Sequence, residues 1–338
     1  MMTNQVAHQL DPQEYMESIL KIFTGITIGD RVLLEQASIH SNELADDIAD
    51  DLLGFENPEI IPITGEGVGR PVVACDTSTI RVADFLGGSI WALRGCIVCR
   101  SGSARRAMIY GPIYYILTPA NLQPLIRGLY EVLDCRIAGP YPSIQIAPKV
   151  IANLFERVLQ FQALEYLDGG IMLLDGSLTA GPLDSPAGAL ARLLRRAGEI
   201  GYGVLAFSKS TRLTSMGRRI TDLAVGYMPP YLLKPVISQT GYAVIGEVYV
   251  ANLAPSSFPF RVDVSLADGL PITDIFRDLL SSDSVIYGYP ETLALAHQLS
   301  TFSRLDIIGL RASLEYLTGT HLAHEFDVRS SLFSPLDG

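Results

Sequence analysis

Cysteine is scarce in this sequence. The four residues at positions 75, 96, 99 and 135 cannot staple a chain of 338 residues, so a disulfide scaffold is excluded and a reducing compartment is expected. Long apolar runs are missing too. None approaches the roughly 18 residues that a membrane helix needs, since stretches such as 171–174 stop at a charge or a glycine. Residues 1–11 have no basic start and no apolar block of the kind that directs secretion, and a cytoplasmic location is expected. Positive charge is in deficit: 25 Lys and Arg stand against 36 Asp and Glu, a net charge of −11. That balance excludes a protein that coats nucleic acid by bulk electrostatics, but not an enzyme that confines it to one basic channel. Lysine occurs only at positions 21, 149, 209 and 234; every other basic residue is arginine, which grips phosphate as a bidentate fork.

What the chain does have is apolar content, with 48% hydrophobic and 18% charged residues, enough for one large core or two modest ones. Residues 1–69 are expected to form an amino-terminal helical segment: Asp11-Pro12 can open a helix, and Tyr15, Ile19, Leu20, Ile22 and Phe23 recur at helical spacing. At residue 70 the texture changes. Residues 71–75 are a short apolar run ending at Asp76-Thr77-Ser78-Thr79, and 89–99 and 107–117 suggest two further strands joined by the polar stretch 100–106. Helical patterns cover 121–132, 149–166 and 188–200. The apolar runs 170–174 and 202–207 lie between and after them, with further strands expected at 242–252 and 260–264 and helices over 292–317. This order implies an α/β mixed sheet flanked by helices over residues 70–338, with no internal repeat.

Two runs end in aspartate followed by small hydroxyl or glycine residues, Asp76-Thr77-Ser78 and Asp175-Gly176-Ser177. Carboxylates at adjacent strand ends can share divalent cations that activate water and stabilise a leaving oxygen; an aspartate in such a turn can equally act as a cap. Lys209 ends a third run, where its ammonium either holds a phosphate or is simply solvated. Arg192, Arg195 and Arg196, continued by Arg212, Arg218 and Arg219, are the one basic concentration and the candidate DNA path. His297 follows the proline-opened helix start at Pro290. Cys96 and Cys99 have a CxxC spacing but no second ligand pair, which favours buried strand residues over a zinc site. His321 and His324 lack the i, i+4 spacing of a helical metal motif.

In order, these residues resemble the NurA family of DNA-end-processing nucleases. The stretch 72–78 is similar to its first strand, with Thr77 in place of the usual glycine; 173–178 is similar to its second aspartate motif, 206–210 to its lysine strand, and 288–290 with 296–297 to its Tyr and His motif. The resemblance implies a ribonuclease H-like fold and a homodimer. It also implies metal-dependent cleavage of DNA, as a single-strand endonuclease and 5′–3′ exonuclease, in the resection of double-strand breaks with a HerA-like hexameric ATPase. Two ions of Mn2+ or Mg2+ are implied, with Asp76, Asp175 and an acid on the preceding helix as ligands and with Lys209, Tyr289 and His297 completing the catalytic set. That acid is a glutamate in the family, and here the position reads Gln160. A neutral amide brings no charge to offset two cations. Either Glu156, one turn earlier, takes its place, with Glu165 beyond, or the metal site is weakened and the chain is a DNA- or motor-binding scaffold.

Overall fold

The structure, a computed structural model, describes residues 51–52 and 59–319, apart from 138, 180–184, 210, 212, 216–217, 225, 235–244 and 256. Most of the segment expected to be helical over 1–69 therefore lies outside the described residues, as do His321 and His324 and Arg212 of the basic stripe. Residues 59–62 within that segment are a strand, β1 (Glu59–Pro62), which supplies the ladder partner of an otherwise open edge.

β2 (Val72–Phe85), β3 (Gly88–Ser101) and β4 (Ala104–Leu117) follow as an antiparallel meander with turns only two residues long. Two expectations are corrected here. β2 does not stop at Asp76, because residues 77–85 keep their ladder with β3, whose Gly95 and Arg94 pair with Thr77 and Ser78. The stretch 100–106 is mostly strand rather than connection, since only Gly102-Ser103 is needed to turn. Helices α1 (Leu122–Val132) and α2 (Ala147–Ala163) lead to β5 (Gly170–Asp175), and α3 (Ala187–Glu199) leads to β6 (Tyr202–Ser208). The chain continues with β7 (Tyr231–Lys234), β8 (Glu247–Asn252), β9 (Phe260–Ser265), α4 (Ile272–Ser282), the two-residue strands β10 (Val285–Ile286) and β11 (Tyr289–Pro290), α5 (Glu291–Ser300) and α6 (Arg304–Thr318), while Asp51–Leu52, Thr214–Ser215 and Arg218–Arg219 form a separate small sheet. β7 and α4 were not anticipated, and the helical pattern over 292–317 breaks into two helices, α6 restarting on a Ser303–Asp306 capping box.

The main sheet runs β1-β7-β8-β9-β6-β5-β2-β3-β4. β5 pairs parallel with β2 on one side and with β6 on the other, while the other ladders of this sheet are antiparallel. Three antiparallel strands followed by two parallel ones reached through helices is the expected ribonuclease H-like arrangement. One face of the sheet packs Val73, Cys75 and Met172 against α1, α2 and α3. The other packs Val72, Ala74 and Leu173 against α4 and α5. Alternation along β3 therefore sends Cys96 and Cys99 to opposite faces, where burial pushes both thiols up to about 11; they are strand residues and cannot share a metal. Among the described residues no helix is long and apolar enough to cross a membrane.

Candidate functional site

The parallel ladder between β2 and β5 is short. It pairs Ala74 with Leu173, and two residues further along both strands Asp76 comes level with Asp175. Beyond that point β2 has no parallel neighbour, and the gap is where a ligand can approach the carboxyl end of β5. Asp175 leaves the strand into Gly176, whose φ of +103° suits glycine, and the turn is held by the Gly176 N–H donating to the Phe207 carbonyl at 2.9 Å. Lys209, just past the end of β6, donates to Asp175 Oδ2 at 2.7 Å.

Asp76 points to the α5 face. There the buried Ser300 hydroxyl donates to its Oδ2, and His297 Nδ1 lies 3.2 Å from the same oxygen. Burial raises the pKa of Asp76 and the charge of Asp175 adds to this, against the hydrogen bond from Ser300 and the imidazole. One donor atom each from Asp76, Asp175 and His297 lie within 4.8 Å of one another. A divalent ion bound at roughly 2.0–2.4 Å spans ligand separations up to about 4.8 Å, so two hard oxygens and an imidazole nitrogen at this spacing fit one.

Glu156 is not among these three. It reaches the same region from α2, across the sheet, where Thr77 Oγ donates to its Oε2 at 3.4 Å and Gln160 Nε2 to its Oε1 at 2.9 Å. Full burial, then the charge of Asp76, push its pKa up to about 8, against the pull of Arg157. Gln160 does not point its amide oxygen into the site, because Arg157 Nη1 donates to that oxygen at 2.6 Å. Tyr289 packs edge-on against Phe207, its ring centroid 6.1 Å away, and Lys209 Nζ sits 5.4 Å from the Tyr289 ring centre. Its hydroxyl is buried without a hydrogen bond of good geometry, and burial followed by the charges of Asp175 and Asp76 raises its pKa.

The basic stripe is less available than its sequence suggests. Arg192 is turned back onto the end of α1, donating to Asp134 Oδ2 at 2.8 Å and to the Leu133 carbonyl, and Arg196 lies 3.8 Å from Glu165. Arg195 alone of the three is exposed. Glu165 is thus an ion-pair partner on the α3 side. Sequence reasoning missed Ser300, Thr77 and Arg157, which hold the site's carboxylates and amide; only Ser300 left a signal, standing three residues from His297 on one helix face.

The fold and site define a ribonuclease H-like α/β protein with acidic residues at a parallel strand crossing. Residues 145–302, a stretch that takes in α2 through α5, match the family model of the NurA domain. Asp175, Glu156, Gln160, Lys209, Tyr289 and His297 lie within the match; Asp76 precedes it. The chain is also similar to solved structures. The NurA nuclease from Sulfolobus solfataricus is 16% identical, with 78% of this chain and 88% of that one covered at a TM-score of 0.49. A NurA structure with manganese is 11% identical, with 77% and 91% covered and a TM-score of 0.45. An endonuclease V from Bacillus subtilis is 11% identical, with 77% and 89% covered and a TM-score of 0.32. No curated protein matches the chain significantly in sequence.

Proposed function

We propose that the protein is a metal-dependent deoxyribonuclease that hydrolyses phosphodiesters in single-stranded DNA and at DNA ends. The observation that carries this reading is the convergence of Asp76 and Asp175, level on adjacent parallel strands, with His297 within 4.8 Å. The NurA domain match supports it. Manganese or magnesium, two ions in full loading, would be held by Asp76 and Asp175, with Glu156 as the third acid. When bound, such ions supply an activated water and charge stabilisation at the scissile phosphate.

Each side chain has a part in this reading. Ser300 fixes the rotamer of Asp76. Lys209, a point charge beside Asp175, orients a phosphate oxygen. His297 keeps Nδ1 on Asp76 and is half-exposed, so its Nε2 can pass a proton to the leaving oxygen. The Tyr289 hydroxyl, buried beside Asp175 without a hydrogen bond of good geometry, would donate to a phosphate oxygen. Arg157 holds the Gln160 amide oxygen, and Glu156 on the same helix would take the part of the third acid, losing its proton as a cation binds.

The partners follow the same reading. A net charge of −11 suits a nuclease that is fed its strand by a HerA-like hexameric ATPase in break resection, working as a homodimer, better than one that captures DNA alone. The test is cleavage of end-labelled single-stranded DNA in manganese. Wild-type protein should cut and Asp76→Ala should not; absence of cutting by the wild type, alone and with the motor, would leave a scaffold role instead.

A further inference from the structure

Beside the carboxylate site two aromatic side chains stand mostly in water. Tyr287, in the turn between β10 and β11, is 72% exposed, and Phe258, just before β9, is 67% exposed. The two turns are locked together: the Phe258 N–H donates to the Tyr287 carbonyl at 3.2 Å, and a Cβ added at Gly288 would lie 2.4 Å from the Phe258 carbonyl oxygen. The same segments run directly into the site. Tyr289 and Phe260, two residues on from each exposed ring, pack with centroids 5.5 Å apart, and Lys209 sits over Tyr289.

Tyr287 also holds a φ of +51°, a conformation that glycine or asparagine adopts more easily. A large ring kept in water on such a backbone gains nothing from burial. Meanwhile the guanidinium groups on the neighbouring elements are occupied: Arg100 on Asp283 and Glu291, Arg105 on Glu291, and Arg261 on Asp263. An acidic protein whose nearby arginines are paired internally has few phosphate contacts to offer, so affinity for a strand must draw on another source.

We infer that Phe258 and Tyr287 form a stacking platform for unpaired nucleobases next to the scissile phosphate, a site for single-stranded rather than duplex DNA. The inference rests on the nuclease reading of the adjacent carboxylates and adds the element that selects the strand. Bases present a π-face whatever their sequence, so such a platform is tolerant of sequence, and because stacking neutralises no phosphate it leaves the salt slope of binding unchanged. In a paired duplex those faces are covered by neighbouring base pairs.

The experiment measures binding of the full chain to a short fluorescein-labelled thymidine homopolymer by anisotropy in EDTA, so that no cleavage intervenes, over a salt series. Phe258→Ala and Tyr287→Asn, the latter compatible with the positive φ, should each bind about ten-fold more weakly, with the slope of affinity against salt unchanged. Phe258→Trp should bind like the wild type. A strand carrying abasic sites should lose affinity for the wild type but bind both variants and wild type alike, an arm that needs no variant to show the loss. Wild-type affinity in both variants, or a loss that tracks the salt slope, would overturn the platform while leaving the nuclease reading intact if the wild type still cuts; the rings would then belong to a protein-binding surface. A wild type that neither binds nor cuts single strands would overturn both.

Discussion

Arg157 and Gln160 form a clamp on one turn of α2: the guanidinium takes the amide oxygen, and the amide nitrogen is thereby turned toward Glu156. Gln160 thus positions an acid without being one. Replacing it with leucine removes a donor from a buried carboxylate, and manganese affinity measured by titration calorimetry should fall roughly ten-fold or more. Gln160→Glu should not improve binding, because Arg157 would hold the new carboxylate where it now holds the amide; a gain in affinity would show that the position still behaves as a ligand.

His297 and Asp175 should separate by function. His297→Ala is expected to lower turnover by about 100-fold or more, the usual contribution of a proton donor, while manganese affinity stays close to wild type. Asp175→Ala should lose both. Equal loss of metal binding in the two variants would make His297 a ligand, which its place within 4.8 Å of both aspartates permits.

Asp263 is fully buried and binds Arg261 through two hydrogen bonds of 2.7 and 2.8 Å while accepting the Leu178 N–H at 2.9 Å. It therefore ties β9 to the turn that follows Asp175. Asp263→Ala leaves a buried guanidinium and a buried amide without partners, and urea unfolding should register a loss of about 3–5 kcal/mol. A loss under about 1 kcal/mol, the worth of a surface pair, would show that water replaces the carboxylate.

Helix α6 begins on the reciprocal bonds between Ser303 and Asp306, and Arg94 anchors Asp306 at 2.9 Å. Ser303→Ala should weaken α6 by about 1 kcal/mol, read as faster amide exchange in its first turn. The hydrogen bond from Arg94, then those from Ser303, hold the Asp306 carboxyl well below the usual carboxylate range. The folded pKa is depressed, so this stabilisation is complete above about pH 4–5, where an unfolded aspartate is ionised, and is lost as pH falls toward the folded value. Exchange in α6 of Asp306→Asn should accordingly be insensitive to acid that accelerates the wild type.

The continuous apolar runs 170–174 and 202–207 were legible because buried parallel strands need apolar residues on both faces. Asp175 was legible with them, as a charge where such a run must end. Asp76 was legible for the wrong local reason. Thr77-Ser78-Thr79 reads as a turn, yet its residues pair along β3, and Asp76 marks the end of one ladder rather than of its strand. The occupation of Arg192 by the α1 terminus and the aim of Ser300 at Asp76 are contacts over 58 and 224 residues, which no local pattern records. β7 was missed because four residues carry too little periodicity to stand out.

The three-residue ladder between β2 and β5 works as a ruler. Because side chains alternate along a strand, a slip of one residue would turn Asp76 toward α2 and bring Cys75 or Thr77 to the α5 side. No neighbouring carboxylate could substitute, since none adjoins it in β2. Insertions and deletions within residues 72–76 should therefore be far less tolerated than comparable changes at the hairpin tips, and among relatives of this chain the length of that short stretch should vary less than the identity of the residues that fill it.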